Sequence, residues 1–138
     1  MSESILVRDI LIRLGSLPGV RLFRNNTGRL RDREGRWVAY GLCVGSSDII
    51  GWKVETDIAI PGIAEGPIAR FVALECKVKP RKPTPEQVAF ILAVDRAGGI
   101  AGVVYSVEDA AALLSVPLPQ SRKCVPTNRT ASDRQGTD

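Results

Sequence analysis

The chain has 138 residues, 44% of them hydrophobic and 25% charged, with 19 Lys+Arg against 15 Asp+Glu and no histidine. That length suits one ordinary domain with enough apolar side chains to build a core. The missing imidazole excludes Ser-His-Asp and Cys-His nucleophilic catalysis, His-ligated metal motifs and His-metal-finger nucleases, leaving carboxylates, lysines, amides and water for any chemistry.

Taken along the chain, Ile5, Leu6, Ile10, Leu11 and Leu14 recur at helical spacing and predict a helix from Glu3 to Leu14, with Gly15 at its exit. Pro18-Gly19 makes a turn before a short strand at Val20–Phe23. Arg24 to Arg36 (RNNTGRLRDREGR) holds five arginines and little to bury, so it reads as a solvated loop or an open hairpin. Strands follow at Trp37–Tyr40 and Asp48–Val54, joined by a turn at Gly41–Ser47. The clearest strand is Phe71–Lys79, where Val72, Leu74, Cys76 and Val78 alternate with Ala73, Glu75, Lys77 and Lys79. Thr84, Pro85 and Gln87 form a capping-box start for a helix that Gly98-Gly99 stops. Ile100–Tyr105 is a strand of the buried type, and Ser106 caps a last helix over Val107–Leu114. Residues 117–138, rich in Pro, Ser, Thr and Arg without apolar period, read as a disordered tail, which leaves a domain over residues 1–116. The order predicts an α/β sandwich with a central mixed sheet flanked by helices, and the step from Phe71 to Tyr105 is a right-handed crossover if its strands are parallel.

Fourteen of the nineteen cations are Arg, whose planar fork suits phosphate, and the pI is about 9.3. The three cysteines, Cys43, Cys76 and Cys124, contain no C-x-x-C spacing, so neither a disulfide scaffold nor a thiolate zinc site is expected, and a reducing cytoplasm is the simplest setting. Arg8, Asp9 and Arg13 interrupt the first apolar stretch, which rules against a signal peptide. No run approaches the roughly 20 apolar residues of a membrane span.

Glu75-Cys76-Lys77 carries the chemical argument. Residues two apart on a strand face the same side, so a carboxylate and an ammonium are held together by backbone geometry. A carboxylate is a hard ligand for Mg²⁺ or Mn²⁺, and a neighbouring lysine can orient or help deprotonate the attacking water. E-x-K alone is commonplace as an exposed ion pair; a central position makes such burial costly without a purpose. A second carboxylate is needed, and Asp48 opens the preceding apolar strand. Asp57, in TDIAI, is a rival for that place.

The ordered blocks GLCVGSSDIIGW (Gly41–Trp52), FVALECK (Phe71–Lys77), TPEQVAF (Thr84–Phe90) and AGGIAGVV (Ala97–Val104) resemble the VRR-NUC domain, the virus-type replication-repair nuclease branch of the PD-(D/E)xK superfamily, in its stand-alone phage form. The match covers about residues 3–115. It implies a restriction-endonuclease-like α-β-β-β-α-β core and an Mg²⁺- or Mn²⁺-dependent endonuclease. On that pattern Asp48 and Glu75, with the backbone carbonyl of Cys76, hold the divalent ion, and Lys77 positions or activates the attacking water. Gln87 matches a glutamine that orients the site, and Glu3 an acidic residue often placed near the metal. Ser47 stands where the superfamily name has proline. The resemblance further implies DNA as substrate, branched or four-way in structure, cut by a homodimer encoded by a phage or prophage and working in the host cytoplasm.

The remaining readings are blander. Cys76 lies on the apolar face of its strand and reads as a core thiol, and Gln87 doubles as the capping partner of Thr84. Trp37 and Trp52 read as core or dimer contacts. Arg24, Asn25 and Asn26, in the RNNTG segment that the family shares, read with Arg29 as DNA-binding, whereas Asp32 and Glu34 dilute Arg31, Arg33 and Arg36, whose role stays open. Two rivals stand beside the nuclease. One is a DNA-structure-binding module that does not cut. The other is a small-molecule α/β enzyme, which lacks support because Gly98-Gly99 follows a helix instead of opening one.

Overall fold

In the computed structural model, which describes residues 1–56, 61–62 and 66–120, the first element is helix α1 (Glu3–Leu14), capped by the Ser2 hydroxyl on the Ile5 amide. Strands β1 (Val20–Arg24), β2 (Gly28–Arg31), β3 (Trp37–Tyr40), β4 (Ile49–Glu55) and β5 (Ile68–Cys76) follow, then α2 (Pro85–Arg96), β6 (Ile100–Val104) and α3 (Val107–Leu114). The fold is mixed α/β. Four strands make one mixed sheet in the order β1-β4-β5-β6, antiparallel except for the parallel β5–β6 pair, and β2 and β3 form a separate two-stranded ribbon.

Strand alternation decides which face is filled. Val20, Leu22, Ile49, Val72, Leu74, Cys76, Ile100 and Val104 turn to one side and pack with Leu6, Val7, Ile10 and Leu14 of α1 and Val107, Ala110, Ala111 and Leu114 of α3. Burying a Leu or Ile there contributes about 1.5–3 kcal/mol each, so this layer supplies most of the hydrophobic stabilisation. The opposite face is thinner. α2 lies over β5 and β6 with no fully buried residue of its own, and the β1–β4 half of the face is left uncovered.

The open-hairpin reading of Arg24–Arg36 holds: the segment contributes β2, which pairs with β3 in the register Gly28↔Tyr40 to Arg31↔Trp37. Two expectations change. Trp37 and Trp52 are not core residues: they are 63% and 39% exposed. The strand expected over Phe71–Lys79 runs from Ile68 to Cys76, because β4 offers no partner beyond its start at Ile49 and the Val78 carbonyl turns to accept the Arg81 amide. Val116 and Leu118, on either side of the expected boundary, both pack against the core. Asp57, Cys124 and the tail from 121 to 138 lie outside the described residues. Among the described residues no helix is long and apolar enough to cross a membrane.

Candidate functional site

Four chain segments converge at one end of the sheet. The register Ile49↔Leu74 between β4 and β5, carried one step further, sets Asp48 opposite Glu75. The Asp48 carboxylate is fixed there by the Cys76 amide, which donates to Oδ2 at 2.9 Å. Lys77 follows directly, its amide donating to the Val104 carbonyl of β6 at 3.0 Å. This is the carboxyl end of the parallel β5–β6 pair, where open α/β sheets characteristically hold their ligands.

The side chains complete a charged cluster. Lys77 Nζ lies 3.1 Å from Glu75 Oε1 and 3.9 Å from Oε1 of Glu3, which the first turn of α1 brings to the same end. Arg81 approaches Glu3 Oε1 at 3.4 Å from the rim. Glu75 and Lys77 are buried, at 1% and 7% exposure. Apart from that contact with Lys77, neither Glu75 oxygen finds a well-aligned donor among the described residues, nor does the buried Oε1 of Glu3.

A buried carboxylate is costly even beside one ammonium, because the charged form loses its water. Burial first, and the nearby Asp48 charge second, push the Glu75 carboxyl up to about 7, against the pull of Lys77. The Cys76 thiol is pushed up to about 12 by burial and by the Asp48, Glu75 and Glu3 carboxylates, so it stays protonated and is no nucleophile.

The donor set suits a hard divalent cation. Two carboxylates are oxygen donors, and Mg²⁺ commonly takes only one or two carboxylates while keeping several waters. Among the described residues no three His, Cys, Asp or Glu side chains gather into a complete metal cage. The protein's share would therefore be small and one-sided, with coordination left open.

The remaining predicted residues divide. Gln87 completes the capping box: its Oε1 accepts the Thr84 amide at 2.8 Å, and no hydrogen bond joins it to Asp48, Glu75 or Lys77. Asn25 is structural, donating from Nδ2 to the Ser46 hydroxyl and the Ser47 carbonyl, with its amide on the Asp48 carbonyl. Its side-chain amide nitrogen holds the loop that carries Asp48. Arg24 donates to the Ser4 hydroxyl of α1. Asn26 and Arg29 are exposed, with no ion pair among the described residues. Gly45, at φ +83°, lets the turn before Asp48 press against the start of α2: a Cβ there would fall 2.6 Å from the Glu86 carbonyl carbon.

Sequence reasoning missed Arg81, one of several cations in the KVKPRK run and visible only as a charge there. It also missed the burial of Ser47 beside Asp48, whose hydroxyl finds no partner among the described residues. A serine between Ser46 and Asp48 gives no local sign of burial.

No family model, curated protein or solved structure matches this chain.

Proposed function

We propose that this protein is a divalent-metal-dependent DNA endonuclease of the VRR-NUC type, with the α1, β1, β4, β5, α2 and β6 elements forming a restriction-endonuclease-like core. One observation carries the reading: a half-buried Asp48 faces a buried Glu75 at a strand end, with Lys77 Nζ 3.1 Å from Glu75 Oε1. Lys77 offsets one of the two facing carboxylates and a bound cation would offset the other, and the pairing of two acids with a lysine is what phosphodiester hydrolysis needs.

Asp48, Glu75 and the Cys76 carbonyl would hold Mg²⁺ or Mn²⁺. The ion would supply Lewis acidity toward a phosphate oxygen and toward water. Lys77 does the rest from the protein side. Its ammonium, held between Glu75 and Glu3, orients an attacking water and offsets negative charge that develops on the phosphate. Burial strengthens that offset by excluding bulk solvent. Arg81 adds a second, exposed cation at the rim. Replacing Glu75 or Lys77 by Ala is expected to abolish Mn²⁺-dependent cleavage of duplex, flap or four-way DNA while leaving the circular dichroism and DNA binding largely intact. Cleavage retained in either variant would sink the proposal.

The paired ion bridges favour one other reading. Lys77 already compensates Glu75 and Glu3, so the cluster can be read as a structural network in a DNA-structure-binding module that does not cut. That module would bind DNA in a salt-sensitive way and yield no metal-dependent product.

A homodimer belongs to the nuclease reading, because paired incision of a branched substrate needs two sites. The uncovered face of the sheet offers the surface: Phe23, Trp52 and Phe71 are exposed there around Ile50, and Val88 and Leu92 of α2 are exposed on the same side of the sheet. A phage origin and host cytoplasm follow from the same resemblance.

A further inference from the structure

β1 and β4 are antiparallel neighbours whose last matched pair is Arg24↔Ile49, a connection that about two to five residues would close. Residues 25–48 occupy it instead, and from them rises the β2–β3 ribbon. Both of its roots are tied to the site. Asn25 grips Ser46 and Ser47 on the way out, and the returning chain runs through the Gly45 turn into Asp48.

Apart from the half-buried Gly28, every residue of β2 and β3 is exposed. The register gives the ribbon two faces. Arg29, Ala39, Arg31 and Trp37 share one, and Gly28, Tyr40, Leu30 and Val38 the other. An isolated two-stranded ribbon is marginal in water, and this one is closed at its tip by Asp32, which accepts from the Glu34 and Arg36 amides and the Arg36 guanidinium. The Arg36 amide in particular holds the Asp32 carboxyl below its usual range.

The arginines are therefore unequal. Arg36 is spent on Asp32 at 2.7 Å and Glu34 at 3.3 Å. Arg31 lies over the Trp37 ring at 4.7 Å from its centroid, and neither it nor Arg29 has a carboxylate partner among the described residues. Along a strand these two cations stand roughly 6.8 Å apart, comparable to successive phosphates on one polynucleotide strand.

We propose that the β2–β3 ribbon is a substrate arm, whose Arg29, Arg31 and Trp37 hold a nucleic-acid strand alongside the Asp48–Glu75 site while Arg36 only builds the arm's tip. The inference rests on the nuclease reading and names how its substrate is gripped. Two unpaired guanidiniums favour phosphates, and an exposed indole favours a base plane.

The test is fluorescence anisotropy of the full chain with a labelled duplex and a labelled single strand, in EDTA so that nothing is cut, across a salt series. Arg29→Ala and Arg31→Ala should each flatten the plot of log affinity against log salt by about 0.9 on the duplex and about 0.7 on the single strand. Arg36→Ala should leave the slope unchanged. Trp37→Ala, which removes no charge, should keep the slope and weaken single-strand binding about fivefold or more. Circular dichroism confirms the fold of each variant. Unchanged slopes for Arg29→Ala and Arg31→Ala, or an equal loss for Arg36→Ala, would overturn the arm. So would polyglutamate binding that depends equally on Arg29 and Arg31, since the ribbon would then be a surface for acidic protein. Because binding is read without metal, the two readings fail separately. Arm-dependent binding without Mn²⁺ cleavage sinks the nuclease, whereas Glu75-dependent cleavage with unchanged slopes sinks only the arm.

Discussion

Glu75 concentrates the energetic tension of the molecule. It is buried, faces Asp48 and has Lys77 as its ion-pair partner, and its carboxyl is pushed up to about 7. A carboxyl raised in the native state keeps its proton there after the unfolded chain has lost its own near 4.5. Between those values the native state binds more protons, so stability falls as pH rises. Compared with Glu75→Gln, which cannot titrate, the metal-free parent should lose on the order of 2–3 kcal/mol between about pH 4.5 and 7. Urea unfolding of both proteins in EDTA across that window checks it, and parallel pH profiles would contradict it. The sequence showed Glu75 and Lys77 as neighbours on one face, because strand alternation is a local rule. It could not show Lys77 shared with Glu3, since the α1 terminus and the β5 end meet only through the fold.

The secondary elements were legible to the extent that their causes are local. Thr84, Pro85 and Gln87 announced the start of α2, and the structure shows both halves of the capping box. Thr84→Ala should therefore lower stability by about 1 kcal/mol, read as a shift in the urea midpoint with unchanged slope; an unchanged midpoint would show that the cap contributes nothing. The residues of α1 and α3 likewise carry their apolar stripes openly. The β2–β3 ribbon was half hidden for a physical reason. Arg29 and Arg31 alternate with Gly28 and Leu30, but neither face meets the body of the protein, so no core-facing pattern marks the strands. The core alternative for Trp37 fails on the same ground: large aromatics usually seek burial, and nothing in its neighbours tells that its contact is the Arg31 guanidinium. The alternation that places Val72, Leu74 and Cys76 in the core was, by contrast, plain from residue types alone.

At the scale of the whole molecule, the two faces of the sheet are unequal. α1 and α3 close one, while the other leaves Phe23, Trp52 and Phe71 in water beside a helix without a fully buried residue. Phe23 and Trp52 lie in ring contact, 5.6 Å between centroids. If that face seats a second copy, as proposed, the Trp52→Arg, Phe71→Arg double variant should sediment as a monomer at micromolar concentration with unaltered circular dichroism, and the parent as a dimer. A parent that sediments as a monomer would contradict it. Which face is covered was beyond the sequence, because Trp52 and Phe71 have the composition of core residues and only the position of α2 leaves them out.

The central claim is that Asp48 and Glu75 together hold a divalent ion. Isothermal titration of Mn²⁺ into the full chain at pH 8, above the raised Glu75 value, tests it most directly. The account predicts saturable binding by the parent that is lost in both Asp48→Asn and Glu75→Gln, with each variant still folded. Mn²⁺ binding that survives either substitution, or none by the parent, would contradict it.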